Sequence, residues 1–166
     1  METEGLDARP ASASRISLAI ITEPRHANAF GTIHGGVLLK LADECGALSA
    51  LRHAGKGQIT TAAIDSLMFL GPVYVGERVE IVAEVSYVGR TSTETRIEIY
   101  AEPCDRAEPR RVAVGYALYV ALDEDVRRPR PVPPLLIETE ADRVRLEQGR
   151  ARQAVRLARR AEALRS

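Results

Sequence analysis

The fold is decided by residues 28–46, which read NAFGTIHGGVLLKLADECG. A loop containing Gly31, Gly35 and Gly36 runs directly into a long segment in which apolar residues recur at helical spacing. The residues of this predicted buried stripe are Leu38, Leu41, Cys45 and Leu48. Because the segment is apolar on most sides, it is typical of a helix that the rest of the protein surrounds, and Gly55 and Gly57 predict its end.

Strand-like segments flank this helix along the chain. One precedes it at residues 15–22, and four follow it at residues 58–70, 78–88, 91–102 and 111–122. Apolar and polar residues alternate in these segments, which is typical of an antiparallel sheet that is covered on one side. One buried helix against one curled antiparallel sheet predicts an α+β architecture.

The same alternation predicts which side chains of two strands face the core. In the segment 78–88 the inward set is Val79, Ile81, Ala83, Val85 and Tyr87. In the segment 91–102 the inward residues are Ile97 and Ile99, and the outward residues are Glu94, Arg96 and Glu98. We therefore expect the three charged residues to face solvent.

The two ends of the chain differ in composition from its middle. Residues 1–13 are small and polar and predict a disordered tail, and residues 14–123 predict the single folded domain. Residues 124–136 are rich in proline and predict a linker, which residues 137–166 follow as an arginine-rich helix. This helix has a thin apolar stripe, so we expect it to rest on the domain or on a neighbour, and a contact to an anionic ligand is the alternative.

Composition excludes several classes of function. The 23 basic and 23 acidic residues give a formal net charge of zero, which argues against nucleic-acid binding. Cys45 and Cys104 are too few for a disulfide framework, and Cys45 is expected to be a small buried residue. The acidic N-terminus lacks the apolar stretch of a signal peptide, and no apolar run reaches membrane-spanning length. A cytoplasmic protein without membrane insertion is the expectation.

The start of the predicted helix is suited to binding a developing negative charge. The first N–H groups of a helix lack internal partners, and the helix dipole favours an anion there. Gly35 and Gly36 have no side chains, so a ligand can approach their backbone closely. The sequence therefore predicts an oxyanion hole at Gly35 and Gly36.

Asp43 is a carboxylate about two turns into this apolar helix. It can be a solvated residue paired with Lys40 or Arg52, or it can be a general base or a nucleophile. Asn28 can be a plain turn residue, and His34 can be a catalytic imidazole or, more often in such a position, a loop or capping residue. The chain has no serine in a Gly-x-Ser-x-Gly elbow, which excludes an α/β-hydrolase.

Four stretches, taken in order, resemble one known family. The stretch NAFGTIHGGVLLKLADECGALSA at residues 28–50 resembles the Asn-x-x-Gly … His-Gly-Gly … Asp signature of hotdog-fold acyl-CoA thioesterases. IDSLMFLGPVYVGERVEI at 64–81 and YVGRTSTET at 87–95 resemble the second strand and the Arg-Thr-Ser turn of that family. PPLLIETEADRVRLEQGRARQ at 133–153 resembles the helix after its domain. The whole is most similar to the cytosolic, or brain-type, acyl-CoA hydrolases and their YciA-type bacterial relatives.

This resemblance implies a fold and an activity. The fold is the hotdog fold, a long central helix wrapped by a curled antiparallel sheet, here with an extra C-terminal helix. The activity is hydrolysis of medium- to long-chain fatty acyl-CoA without a metal or other cofactor. The resemblance also implies a homodimer, and further a hexamer built as a trimer of dimers, with each active site at a subunit interface.

The resemblance further assigns roles to particular residues. Asp43 is the general base or nucleophile, and Asn28 orients the water or the thioester from the opposite subunit. Gly36 belongs to the oxyanion hole, which makes the implied catalytic set Asn28, Asp43 and Gly36. The implied substrate-binding residues are His34, Gly35, Arg90, Thr91 and Ser92, of which the last three are placed to contact the phosphate or pantetheine of coenzyme A. For these three, a plain hairpin turn is the alternative.

Three other functions are compatible with parts of the sequence. A phenylacetate-type hotdog thioesterase shares His-Gly-Gly and a helix aspartate but acts on aromatic acyl groups. A non-enzymatic acyl-CoA-binding sensor would carry a DNA-binding helical segment, and none is evident before residue 15. A hotdog hydratase would need an aspartate and histidine pair suited to enoyl chemistry, which the helix lacks.

Overall fold

One long helix packs against a five-stranded antiparallel sheet in the computed structural model, which describes residues 6–105, 108–125 and 128–165. The elements are β1 (Arg9–Pro10), β2 (Ile16–Ile21), α1 (Gly35–Ala54), β3 (Gln58–Phe69), β4 (Arg78–Val88), β5 (Ser92–Glu102), β6 (Arg110–Leu122), β7 (Leu135–Leu136) and α2 (Glu140–Ala163). The strand order β2-β4-β5-β6-β3 leaves β2 and β3 at the two edges. The predicted α+β architecture, with its central helix, curled sheet and C-terminal helix, is confirmed.

Small side chains bring α1 close to the sheet. Ala42, Cys45 and Ala50 are buried with the inward residues of β4, β5 and β6. Cys45 is fully buried as predicted, and burial raises the pKa of its thiol to about 11. Leu48 was predicted to be buried but is 44 % exposed, because Gly46 and Ser49 form the face that meets the sheet.

A bulge explains one error in the predicted core of β4. Val79, Ile81, Ala83 and Val85 are buried as predicted. The pairing of β4 with β5 shifts between Val85 and Tyr87, so Ser86 is buried instead and Tyr87 is not on the predicted face. A bulge adds one residue to a strand and reverses the side-chain alternation beyond it. Tyr87 consequently packs against Gly149 of α2.

The outer face of the sheet is covered where solvent was predicted. Ile97 and Ile99 are buried in the core, as predicted, but Glu94 is also completely buried. Its carboxylate accepts hydrogen bonds from Arg152 and Arg156 of α2. The prediction that Glu94 faces solvent is therefore wrong, because α2 lies over this part of the sheet.

Both chain ends are more ordered than the sequence predicts. Residues 6–13 of the predicted disordered tail are described, and β1 pairs in parallel with β7 inside the predicted linker. Val132 of that linker is fully buried against Ala54 and Ala121, which explains why the segment follows the body of the domain. The last helix begins at Glu140 rather than at residue 137, because Thr139 caps it. Residues 1–5, 126, 127 and 166 of these predicted segments lie outside the described residues.

Neither of the two long helices among the described residues is long and apolar enough to cross a membrane.

Candidate active site

The loop before α1 is organised by Asn28. The side-chain oxygen Oδ1 of Asn28 accepts hydrogen bonds from the backbone N–H groups of Phe30, at 2.9 Å, and of Thr32, at 3.2 Å. Its amide nitrogen Nδ2 donates to Oγ1 of Thr32 at 2.8 Å. Asn28 therefore does act as a turn residue. An amide has two N–H donors, and one of them remains after these contacts.

His34 caps the N-terminus of α1. Its ring nitrogen Nδ1 accepts a hydrogen bond from the backbone N–H of Gly36 at 2.9 Å, and its carbonyl accepts one from the N–H of Val37. The capping interpretation of His34 is the one that the structure shows. Within the described residues the N–H of Gly35 makes no hydrogen bond, so Gly35 carries the free donor at this helix start, and the N–H of Gly36 is occupied.

Asp43, on α1, forms no ion pair within the part of the chain that the structure describes. Lys40 pairs with Glu44 instead, with 3.1 Å between Nζ and Oε1, and Arg52 donates to the carbonyl of Arg15 at 2.8 Å. The interpretation of Asp43 as an ion-paired surface residue is therefore not what the structure shows. This half-buried carboxylate is held by hydroxyl groups.

Two hydroxyl groups reach the same oxygen of Asp43. Thr61 of β3 donates from Oγ1 to Oδ1 of Asp43 at 2.9 Å. The hydroxyl of Tyr119, on β6, lies 3.3 Å from that oxygen and 3.1 Å from the backbone carbonyl of Asp43. Burial, and then the neighbouring Asp43 carboxylate, raise the pKa of Tyr119, so its hydroxyl stays protonated and donates.

The sequence does not predict that either hydroxyl residue lies at the site. Thr61 and Tyr119 are directly paired across β3 and β6, and α1 passes over this pair at Asp43. The strand patterns give no register between strands that are distant in sequence, so nothing in the sequence alone could have placed these two residues beside Asp43.

A narrow apolar crevice opens beside Asp43, between α1 and the sheet. Its lining comes from α1, β3, β5 and β6 and consists of Leu39, Ala42, Asp43, Ile64, Ser66, Leu67, Ile97, Tyr116 and Ala117. A wider open cleft of about 460 Å³ lies at the start of α1, where Phe69 packs over Gly35. Apolar walls with few polar groups are typical of a site for an apolar ligand.

Arg90, Thr91 and Ser92 form the turn between β4 and β5. The N–H of Gly89 donates to the carbonyl of Ser92 at 2.8 Å, which closes a tight hairpin as the alternative interpretation expects. The side chain of Arg90 is exposed, and no ion pair to it is found within the described residues. The turn shares no hydrogen bond with Asp43 in the described chain.

One chain does not bring the predicted catalytic residues together. Within the described residues no hydrogen bond joins Asn28 to Asp43, since Asn28 contacts only its own loop. In the same part of the chain, no three histidine, cysteine, aspartate or glutamate side chains are grouped so that they could hold a metal ion.

The edge strand β3 presents apolar side chains to solvent beside this site. Ile64, Met68 and Phe69 are 41 %, 62 % and 51 % exposed. Phe30, in the loop that Asn28 organises, is 92 % exposed. An exposed strand edge with adjacent apolar side chains is a typical surface for association.

Comparisons with known proteins identify the family of the chain. Residues 30–108 match the thioesterase superfamily. The chain is 35 % identical over 137 residues to an uncharacterized acyl-CoA thioester hydrolase of Zymomonas mobilis, covering 80 % of this chain and 91 % of that protein. It is 34 % identical over 143 residues to the cytosolic acyl coenzyme A thioester hydrolase of Mus musculus, covering 85 % of this chain but only 37 % of that longer protein.

Solved structures are similar over nearly the whole chain. An acyl-CoA hydrolase from Staphylococcus aureus, in complex with butyryl coenzyme A and coenzyme A, superposes with a TM-score of 0.86 at 32 % identity, covering 95 % of each chain. A hexameric acyl-CoA thioesterase superposes with a TM-score of 0.86 at 31 % identity, covering 94 % of this chain and 99 % of that one. The chain therefore belongs to the acyl-CoA thioester hydrolases of the thioesterase superfamily, and its helix and sheet form the hotdog fold.

Proposed function

We propose that the protein hydrolyses medium- to long-chain fatty acyl-CoA to the free fatty acid and coenzyme A, and that Asp43 is its reactive carboxylate. The observation that carries this proposal is the position of Asp43 on α1. Its carboxylate lies at the wall of an apolar crevice, is held by two hydroxyl groups and has no ion pair with any of the described residues. Such a carboxylate is free to act as a base or a nucleophile.

Two routes fit this carboxylate. In the first, Asp43 takes a proton from water, the hydroxide adds to the thioester carbonyl, and the C–S bond breaks to release the coenzyme A thiolate, which is then protonated. In the second, an oxygen of Asp43 adds to the carbonyl and expels the thiolate, and water then hydrolyses the mixed anhydride. Both routes pass through a tetrahedral intermediate with a negative oxygen, which needs hydrogen-bond donors.

The start of α1 supplies one such donor directly. The N–H of Gly35 has no hydrogen-bond partner among the described residues, and the helix dipole favours negative charge beside it. The N–H of Gly36 serves the same oxyanion only when the His34 ring releases it. The proposed oxyanion hole therefore consists of Gly35 in the state described here and of Gly35 with Gly36 after His34 moves. His34 in turn borders the bound thioester.

Asn28 contributes a donor rather than an acceptor. Its Oδ1 already accepts two backbone hydrogen bonds, and only one N–H of Nδ2 remains. That N–H is suited to orient the thioester carbonyl or the attacking water. Because Asn28 does not reach Asp43 within the chain, we propose that it faces the partner subunit's Asp43.

Self-association completes this site. The apolar edge of β3 supports a homodimer, which would bring two equivalent sites to one interface. Solved relatives include hexameric thioesterases, which supports assembly of three such dimers into a hexamer. We propose no nucleic-acid partner and no insertion into a membrane.

The coenzyme A end of the substrate is proposed to lie near Arg90, Thr91 and Ser92. The exposed guanidinium of Arg90, which has no ion pair within the described residues, is available to phosphate oxygens. The two hydroxyl residues beside it can donate to the phosphates or to the pantetheine. A cytoplasmic location is also proposed, and relatives that are named cytosolic support it.

Relatives support the choice of residues. The Staphylococcus aureus acyl-CoA hydrolase has been solved as three variants, in which an aspartate, an asparagine and a threonine are each replaced by alanine. These are the residue types of Asp43, Asn28 and Thr61.

A panel of acyl-CoA esters tests the proposal. Release of free thiol is followed for chains from butyryl to palmitoyl and for phenylacetyl-CoA, with the wild type, Asp43→Ala and Glu44→Ala. We expect the fastest turnover on medium and long chains. Asp43→Ala should lose about 10²–10⁴-fold in kcat, the scale of general-base catalysis. Glu44→Ala is the matched control, because this exposed neighbour pairs only with Lys40 and should leave kcat unchanged.

Three outcomes contradict parts of the proposal. Preference for phenylacetyl-CoA favours the phenylacetate-type thioesterase. Binding of acyl-CoA without thiol release favours a sensor. Full activity of Asp43→Ala shows that the reactive carboxylate is assigned to the wrong residue.

A further inference from the structure

We propose that Tyr119 is a positioning residue for Asp43, and that Gly46 is a glycine because the Tyr119 hydroxyl occupies the space of a side chain there. This inference rests on the proposed function, since it concerns how the reactive carboxylate is aimed. Tyr119 does not touch the substrate in this account. It acts through Asp43.

The contacts of Asp43 are made on one side of its carboxylate. Thr61 and Tyr119 both reach Oδ1, at 2.9 Å and 3.3 Å, and the Tyr119 hydroxyl also reaches the backbone carbonyl of Asp43 at 3.1 Å. Within the described residues no hydrogen bond reaches Oδ2. One oxygen is thereby held, and the other is left to face water or the thioester. A carboxylate fixed in this way needs little reorganisation before it reacts.

Tyr119 is well placed for this work because it hardly moves and stays protonated. It is completely buried, with 0 % exposure, and sits on β6 between β5 and β3 in the sheet. Burial and the nearby carboxylate raise its pKa, so its hydroxyl keeps its single proton at any ordinary pH. That proton is shared between the backbone carbonyl and Oδ1 of Asp43, so the hydroxyl contacts both the backbone and the side chain of this residue.

The close packing of Gly46 against the Tyr119 hydroxyl also supports the inference. A Cβ atom built on Gly46 would overlap the Tyr119 hydroxyl and would lie 2.9 Å from Oγ1 of Thr95. Glycine inside a helix is less stabilising than alanine, so its presence in α1 needs a packing reason. The hydroxyl that reaches the backbone of the helix at Asp43 is that reason.

The first test compares Tyr119→Phe with the wild type and with Tyr100→Phe. Tyr119→Phe removes one oxygen and keeps the ring, so folding should survive. We expect kcat to fall about 10- to 100-fold, somewhat less than the loss of a direct oxyanion donor, while KM changes less than about twofold. Tyr100→Phe, on the outer part of β5, should match the wild type in both measurements.

The second test asks whether a side chain at position 46 and the Tyr119 hydroxyl compete for the same space. Gly46→Ala alone should lower kcat, because the new methyl group displaces the Tyr119 hydroxyl. Adding Gly46→Ala to Tyr119→Phe should cost less than adding it to the wild type, because the closest of the three atoms that the methyl group meets is then absent, while Oγ1 of Thr95 at 2.9 Å and Cδ1 of Ile97 at 3.0 Å remain. Equal costs of Gly46→Ala in the two backgrounds would show that Gly46 and Tyr119 are not coupled.

The outcomes separate this inference from the proposed function. If Asp43→Ala is inactive but Tyr119→Phe has a wild-type kcat, the positioning role is overturned and the reactive residue stands. If Asp43→Ala keeps its turnover, the proposed function fails first.

Discussion

Replacing Glu94 by alanine tests how α2 is held on the sheet. The Glu94 carboxylate is fully buried and accepts hydrogen bonds from Ser86, Arg152 and Arg156. Arg156 also donates to Asp65 of β3 at 2.5 Å, so this cluster ties α2 to β5 and to the edge strand beside the site. Removing one partner of a buried ion pair costs about 3–5 kcal/mol, because the remaining charge stays buried.

The structure favours the lower end of the range of about 3–5 kcal/mol for the stability lost in Glu94→Ala. The side chain of Arg156 is only 8 % exposed, but Asp65 still pairs with it when Glu94 is gone. The side chain of Arg152 is 25 % exposed and can turn to water. We therefore expect Glu94→Ala to lower the free energy of unfolding by about 3 kcal/mol.

Glu98 is the matched control on the same strand. It pairs with Arg96 and Arg111, whose side chains are 39 % and 47 % exposed, and such pairs contribute about 0–1 kcal/mol. Urea unfolding followed by far-UV circular dichroism, at one fixed protomer concentration, measures both variants. Trypsin should also cleave the arginine-rich α2 faster in Glu94→Ala. If the two variants lose the same stability, within about 1 kcal/mol, the buried cluster does not anchor α2.

Three further predictions concern the pH response, the coenzyme A end and the loop. The His53 ring contacts the carbonyl of Pro133 at 2.9 Å, and burial lowers its pKa. Just below about pH 6.5 the folded protein therefore binds fewer protons than the unfolded chain. Stability should therefore fall as the pH drops below that value, and a melting temperature that falls equally in His53→Gln contradicts this cause. Arg90→Ala should raise KM for acyl-CoA several-fold with a smaller change in kcat, and an unchanged KM removes Arg90 from the site. Asn28→Asp keeps the oxygen that accepts the backbone hydrogen bonds of the loop, and its second oxygen can accept from the Thr32 hydroxyl in place of the lost Nδ2 contact, so the variant should melt like the wild type. Because the donor is lost, kcat should fall about 10- to 1000-fold, and a kcat equal to that of the wild type refutes the donor role.

Local patterns predict most of the fold. The five strands of the main sheet begin and end within one or two residues of their predicted limits, because alternation and turn residues act over short distances, whereas the short strands β1 and β7 were not predicted. The start of α1 at Gly35 follows from the glycine pair and the apolar spacing behind it. Asp43 stands out because a carboxylate is unusual on such a helix.

Contacts between distant segments could not be predicted in this way. Thr61 and Tyr119 meet only because β3 pairs with β6 in one register. Glu94 is buried only because α2 returns across the sheet, although its position on the strand predicts exposure. Tyr87 changes face because of a bulge, which the alternating pattern does not reveal. In each case tertiary structure overrides a correct local pattern.

Sharing of the active site between subunits is the central claim, and co-expression tests it most directly. Asp43→Ala and Asn28→Ala chains, each expected to have strongly reduced turnover and each carrying a different tag, are co-expressed and purified through both tags, and crosslinking across the dimer interface confirms that heterodimers are present within the assembly. A heterodimer then has one site in which Asn28 of one chain faces the partner subunit's Asp43, so we predict about half of the wild-type kcat per dimer. Two differently tagged Asp43→Ala chains are the control and should stay inactive. Doubly tagged heterodimers that are no more active than their parents would contradict the account, because Asn28 and Asp43 would not then meet across the interface.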